Sequence, residues 1–342
     1  MSTQPQTQPI PPHAAVLQIT WIAPLVAFAV SHLARLGIPD LVEAGPKSAD
    51  ELARETGLDA DALYRLMRAT AAAGVLAEGP DGRFLQTPMS AVLRSDAVPS
   101  LRAMVIVTTD EWQLRGCERL DYCVRTGKQA PEAVYGKPLF QYFQEHPEVA
   151  ATFNEAMTNM STVEGPAVAE AYDFSGIDSL VDVGGGHGLL LTTILKRNPH
   201  MKGTLYDQPH VVEGSKSGPL AALLDRCALI GGDMFSSVPA GADVYIMKYI
   251  LHDWPDDKCL KILRACRAGV NPGGKLLVVD NVIKPGGGLD WGRILDLEML
   301  MFPGGRERTE EQFRDLLAGA GWRLSRVIPT ASPLSIVEGV PT

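Results

Sequence analysis

Leu180-Val181-Asp182-Val183-Gly184-Gly185-Gly186-His187-Gly188-Leu189, running on through Arg197-Asn198-Pro199 to Gly203-Thr204-Leu205-Tyr206-Asp207, is the stretch that decides the fold. Leu180, Val181 and Val183 make a short apolar run rich in β-branched residues, which predicts a buried parallel strand. A glycine loop follows, then an apolar helical segment over 189–197 that Asn198-Pro199 ends. A second strand over 203–206 stops on Asp207. Glycine is required where backbone approaches a ligand closely, since a Cβ would collide with it. An acid at the end of the next strand is placed to accept hydrogen bonds from ribose hydroxyls. The combination predicts a nucleoside site.

Spacing narrows the nucleoside. A dinucleotide fingerprint needs G-x-G-x-x-G, and Leu189 stands where the third glycine would fall. No G-x-x-x-x-G-K-[ST] occurs, so triphosphate binding has no support. The spacing is instead Asp182-x-Gly184-x-Gly186-x-Gly188, which resembles the glycine loop of S-adenosylmethionine (SAM) methyltransferases.

A chain of 342 residues suggests two domains and ample material for a core. Hydrophobic residues at 46% and charged residues at 21% are an ordinary globular balance. A net charge of −9 argues against nucleic acid as the main partner. The five cysteines, 117, 123, 227, 259 and 266, include no C-x-x-C pair and read as reduced, buried thiols of a cytosolic protein. No basic-then-apolar signal opens the chain. The apolar run over 14–30 is interrupted by Gln18, Thr20 and Pro24, and reads as too short and too broken to span a bilayer. The expectation is a cytoplasmic protein with no membrane partner.

The first dozen residues read as disordered. Over 14–36 the apolar positions are too dense for a helix with a wet side, which predicts burial in a core or against another subunit, the subunit contact being favoured at such an N-terminal position. Ser48 and Glu51 form a capping box opening a short helix to Thr56. Gly57 turns the chain, and Asp59 or Asp61 starts a helix to Ala73. Residues 75–78 and 83–86 then flank Gly79-Pro80-Asp81-Gly82 as a hairpin. This outlines a winged helix over residues 1–105. Its would-be recognition helix carries Arg65 and Arg68 against Asp59 and Asp61, so dimerisation is favoured over DNA reading.

Residues 106–342 read as the catalytic domain. Phe153, Met157 and Met160 share one helical face, which suits either a core or an aromatic-binding pocket. After Asp207 come strands over 228–230, 244–247, 275–279 and 322–327, and helices over 256–270 and 310–320. This α/β alternation predicts a doubly wound sheet with ligands beyond the carboxyl ends of its strands. Asp182, Asp207, Asp233, Lys248 and Asp280 fall at or near such ends and should share one crevice.

Methyl transfer to a hydroxyl needs an oxygen that loses its proton as it attacks. A phenol of pKa about 10 is largely protonated at neutral pH, so a positioned base is worth about a hundredfold or more. His252, in Leu251-His252-Asp253-Trp254 just past the strand ending at Lys248, is the candidate. A neutral imidazole used as base wants a carboxylate on its other nitrogen, and Asp280 or Glu307 could supply it. Asp253, Asp256 and Asp257 suit a helix N-terminus, and no metal site is expected.

Four motifs occur in order: Val181-Asp182-Val183-Gly184-Gly185-Gly186-His187-Gly188, Gly232-Asp233-Met234-Phe235, Leu251-His252-Asp253-Trp254, and Gly304-Gly305-Arg306-Glu307-Arg308-Thr309. Together they resemble the SAM-dependent O-methyltransferases of the caffeate and hydroxyindole type, including bacterial natural-product enzymes. The resemblance implies a Rossmann-like methyltransferase sheet with an N-terminal winged-helix dimerisation domain. It places Gly184 and Gly186 against the cofactor, Asp207 on ribose, and Asp233 and Met234 beside adenine. Lys248 also sits at the cofactor, with Trp254 near the purine. His252 is then the base, held by Asp280 and Glu307, and Met157, Met160, Met299 and Phe302 match pocket positions. Asp280 departs from the plant pattern, where a longer Glu stands. The implied partners are an aromatic hydroxyl substrate and a second copy of the chain. Three competing readings are a ligand-responsive winged-helix regulator, a dehydrogenase, and a relative that uses SAM for hydroxylation or decarboxylation.

Overall fold

The computed structural model describes residues 10–342. Most of the segment expected to be disordered lies outside the described residues, and Pro12 already opens a helix. The chain divides into two compact units between Leu114 and Arg115.

In the first unit, Pro12–Leu17, a π-helical turn Gln18–Ile22 and α1 (Ala23–Arg35) run on as one helix. The interruptions expected to break it do not. Thr20 turns its hydroxyl back onto the Val16 carbonyl, and the wider π turn precedes Pro24, whose ring lacks the N–H an α turn would use. By length and composition alone this 24-residue helix could cross a membrane, which corrects the reading of the segment as too short. Only its C-terminal end is buried, through Leu33 and Ala34, while Ile19 is 72% and Trp21 62% exposed. Next come α2 (Ala49–Thr56), α3 (Ala60–Ala72) and the hairpin β1 (Leu76–Glu78) with β2 (Phe84–Gln86). Ser48 and Glu51 form the capping box, and Asp59 caps α3. Leu33, Ile38, Leu52, Leu63, Met67, Leu76 and Phe84 make this unit's core.

The second unit carries helix α4 (Pro147–Ala171), then β3 (Ser179–Val183), α5 (Leu189–Arg197), β4 (Lys202–Asp207) and β5 (Cys227–Gly231). After these come β6 (Ala242–Lys248), α6 (Asp256–Gly269), β7 (Val270–Asp280), α7 (Trp291–Met301), α8 (Glu310–Ala318), β8 (Trp322–Pro329) and β9 (Ser335–Pro341). The seven strands form one sheet in the order β8-β9-β7-β6-β3-β4-β5. Strands β3 to β7 pair in parallel, while β9 is antiparallel to both β7 and β8. Alternate residues feed two cores. Leu180, Val244, Ile246 and Leu277 pack with Leu191 and Ile194 of α5 on one face. Val181, Tyr245, Met247 and Leu276 pack with Ile262 of α6 and Phe313 of α8 on the other. Both faces being covered explains why these strands read as unbroken apolar runs.

From β3 the chain winds outward through β4 and β5, then crosses back to β6 and β7 on the other side. The reversal leaves a crevice at the carboxyl ends of β3 and β6, where such sheets bind ligands.

Candidate active site

The glycine loop leaves β3 at this reversal. Gly184, Gly186 and Gly188 all have positive φ, at 68°, 57° and 75°. Their surroundings separate them. A Cβ on Gly184 would lie 2.3 Å from Ile250 Cδ1, and one on Gly188 2.2 Å from Leu220 Cδ1, so at these two a side chain would have to displace a neighbour as well as adopt a strained φ. A Cβ on Gly186 would meet nothing within 4 Å, so the loop faces open space there. Gly186 donates its N–H to Asp207 Oδ2 at 2.8 Å, and Gln208 donates to Oδ1 at 2.6 Å. Burial pushes the Asp207 carboxyl above its ordinary range, with these N–H groups opposing. Each of its oxygens keeps a lone pair for a further donor. Open backbone beside an acid that can still accept two hydrogen bonds fits the ribose of SAM. Beneath the loop, Asp182 is buried with Oδ2 unpartnered, and burial together with Asp207 raises it to about 7.

Lys248 ends β6. Its Nζ bonds Oε2 of Glu164 at 3.1 Å, a buried acid on α4 that sequence reasoning missed. The same helix reaches the glycine loop, where Thr158 Oγ1 lies 3.2 Å from Nδ1 of His187. Asp233 is exposed, and its carboxylate accepts from Phe235 N–H and the Ser236 hydroxyl, which closes its own turn. Met234 is half-buried against the core behind it. Trp254 stacks on Phe140, with ring centroids 5.7 Å apart, and meets Phe235 edge-on at 4.8 Å.

His252 lies in a short 3-10 turn after β6 and is 7% exposed. Its Nδ1 lies 2.8 Å from Oε1 of Glu307, and its Nε2 lies 3.4 Å from Oδ1 of Asp253. A proton taken by the ring would therefore be held between two carboxylates. Of the two acids expected on this ring, Glu307 bonds it directly. Asp280, at the end of β7, instead accepts from the Tyr249 N–H at 3.1 Å. Burial raises both acids, Asp280 to about 7 and Glu307 to about 8.

Glu307 reaches the site because 308–309 pair in parallel with 282–283, just past β7. Its loop is fitted to the histidine turn. Arg306 N–H donates to His252 O at 2.9 Å, and a Cβ on Gly305 would lie 1.9 Å from that oxygen. Arg308, 1% exposed, donates to the carbonyls of Leu251 at 2.9 Å and Trp254 at 3.1 Å, on either side of His252. It appeared in the sequence only as part of a motif. Of the expected pocket residues, Met157 and Met160 are half-buried on α4. Met299 and Phe302 are buried at the end of α7. Four of the cysteines are buried free thiols, whereas Cys117 is exposed, contrary to expectation.

Sheet order, glycine loop and ribose-type acid together define a SAM-dependent methyltransferase fold. A family model described as an O-methyltransferase domain matches residues 118–323, and an O-methyltransferase dimerisation domain matches residues 24–96. The chain belongs to the family of SAM-dependent O-methyltransferases. It is 43% identical over 309 residues to the phenazine O-methyltransferase of Lysobacter antibioticus, covering 90% of each chain. The crystal structure of LaPhzM matches with a TM-score of 0.92 at 41% identity, over 97% of this chain and 100% of that one. An O-methyltransferase from neocarzinostatin biosynthesis, solved with SAM and 2-hydroxy-5-methyl naphthoic acid, matches with a TM-score of 0.78 at 30% identity. That match covers 92% of this chain and 96% of the other.

Proposed function

We propose that this enzyme methylates a phenolic hydroxyl of an aromatic or polyketide-like small molecule, with His252 as the general base. The observation that carries the proposal is the 2.8 Å contact of His252 Nδ1 with the buried Glu307 carboxylate. With the proton on Nδ1 donated to that acid, Nε2 is the atom left to take the acceptor's proton. SAM supplies the electrophilic methyl group. Asp207 and Gly186 hold its ribose side, Gly184 lets the loop close over Ile250, and Lys248, Asp233 and Met234 complete the cofactor site. Met157, Met160, Met299 and Phe302 line the acceptor pocket. Glu307 orients the imidazole, and Asp280 steadies the turn that carries it. The phenazine and naphthoic acid named for the relatives support an aromatic acceptor.

The working form is a homodimer. Ile19, Trp21 and Leu25 lie exposed on a helix that overlaps the matched dimerisation domain, and such apolar patches mark interfaces. Buried free thiols suit a reducing cytoplasm, and an acidic chain suits neither nucleic acid nor an anionic membrane surface. The direct test is mass spectrometry of a panel of phenols incubated with enzyme and SAM. The expected product has exchanged one hydrogen for methyl. Products that gain oxygen or lose carbon dioxide would replace methyl transfer with another use of SAM.

A further inference from the structure

Tyr249 is the one non-glycine residue with positive φ among the described residues, at 58°. A bulky side chain in that region is strained and persists only where its surroundings hold it. Its N–H lies 3.1 Å from both Val279 O and Asp280 Oδ1. Its hydroxyl donates to Glu164 Oε1 at 2.7 Å, the acid whose other oxygen holds Lys248. Its ring lies 4.9 Å from the His252 imidazole, the two planes 22° apart.

A residue needed only to turn the chain would be glycine or asparagine, which accept this φ readily. Glu307 bonds Nδ1 at 2.8 Å, whereas Asp253 approaches Nε2 only to 3.4 Å, which leaves the ring able to pivot about the Glu307 bond. A flat ring stacked on the imidazole removes that freedom. We propose that Tyr249, anchored by Glu164 on α4, is a positioning residue that sets the plane of the His252 ring for proton removal. The inference rests on His252 being the base.

The test compares kcat, acceptor KM and calorimetric SAM affinity for wild type, Tyr249→Phe, Tyr249→Leu, His252→Ala and the His252→Ala/Tyr249→Leu double variant. Tyr249→Leu should lower kcat about 10- to 100-fold, the scale of a misplaced catalytic group, while SAM affinity and KM stay within about twofold. Tyr249→Phe keeps the stack and should lose less than about fivefold. Residues acting as one unit are non-additive, so the double variant should be no slower than His252→Ala alone. Should Tyr249→Leu not fold, Tyr249→Gly relieves the φ and carries the same test. An unchanged kcat in the ring-deleted variant would overturn the role. So would a double variant slower than His252→Ala by the full single-variant factor, with the base reading left standing. If His252→Ala itself is as fast as wild type, it is the base assignment that falls.

Discussion

Glu307→Gln separates the charge of the acid behind His252 from its shape. The amide keeps an oxygen 2.8 Å from Nδ1 but cannot carry the negative charge that steadies an imidazolium. A hydrogen bond to a charged group is worth about 1.5–3 kcal/mol and a neutral one about 0.5–1.5. The difference of about 1–1.5 kcal/mol predicts a kcat about five- to twelvefold lower. The deficit should grow as pH rises, because burial raises the Glu307 carboxyl and the charge acts only once that acid is ionised. Stability should move the other way. Between the usual value of 4.5 and about 8 the folded protein holds a proton that the unfolded chain has lost, so stability falls as pH rises through that window. Glu307→Gln should therefore raise Tm most above pH 8 and least below pH 4.5. Initial rates at saturating SAM, with thermal melts across pH, measure both. An unchanged kcat at high pH, or a loss as deep as that of His252→Ala, would refute the reasoning.

Two further predictions concern the cofactor and the subunit contact. Asp207→Ala removes the acceptor of the Gly186 and Gln208 N–H groups and, on the proposed assignment, that of the ribose hydroxyls. It should weaken SAM about ten- to a hundredfold by calorimetry, and equal affinity would contradict the assignment. Ile19→Asp with Trp21→Asp places charge on the exposed helix face and should convert a sedimenting dimer to monomer; a persistent dimer would locate the interface elsewhere.

What could be read from the sequence was what lies close together along it. The glycine loop, the acid closing β4 and the histidine after β6 are short-range patterns, and the sheet's winding carries them to one crevice. The glycines were legible as a group but not individually. Only packing shows that Gly184 and Gly188 answer to Ile250 and Leu220, while Gly186 faces open space. Strand β9 escaped because Glu338 and Gly339 interrupt its apolar run. That acid is nonetheless buried, bonded by Tyr172 and Arg326. Glu164 is 84 residues from Lys248, and no local pattern links them. Tyr249's φ is likewise invisible in sequence, because tyrosine carries no preference for it. The division between Glu307 on the imidazole and Asp280 on the turn depends on atomic distances that motif order does not contain.

Whether His252 removes the acceptor's proton is read out by the pH–rate profile of His252→Ala against wild type on one phenol. At neutral pH the variant should be about 10²–10⁴ slower, with SAM affinity nearly intact. The gap should close as pH approaches the phenol's own pKa of about 10, where solvent makes the phenolate unaided. A variant that loses little at neutral pH, or one whose deficit is the same at every pH, would contradict the account.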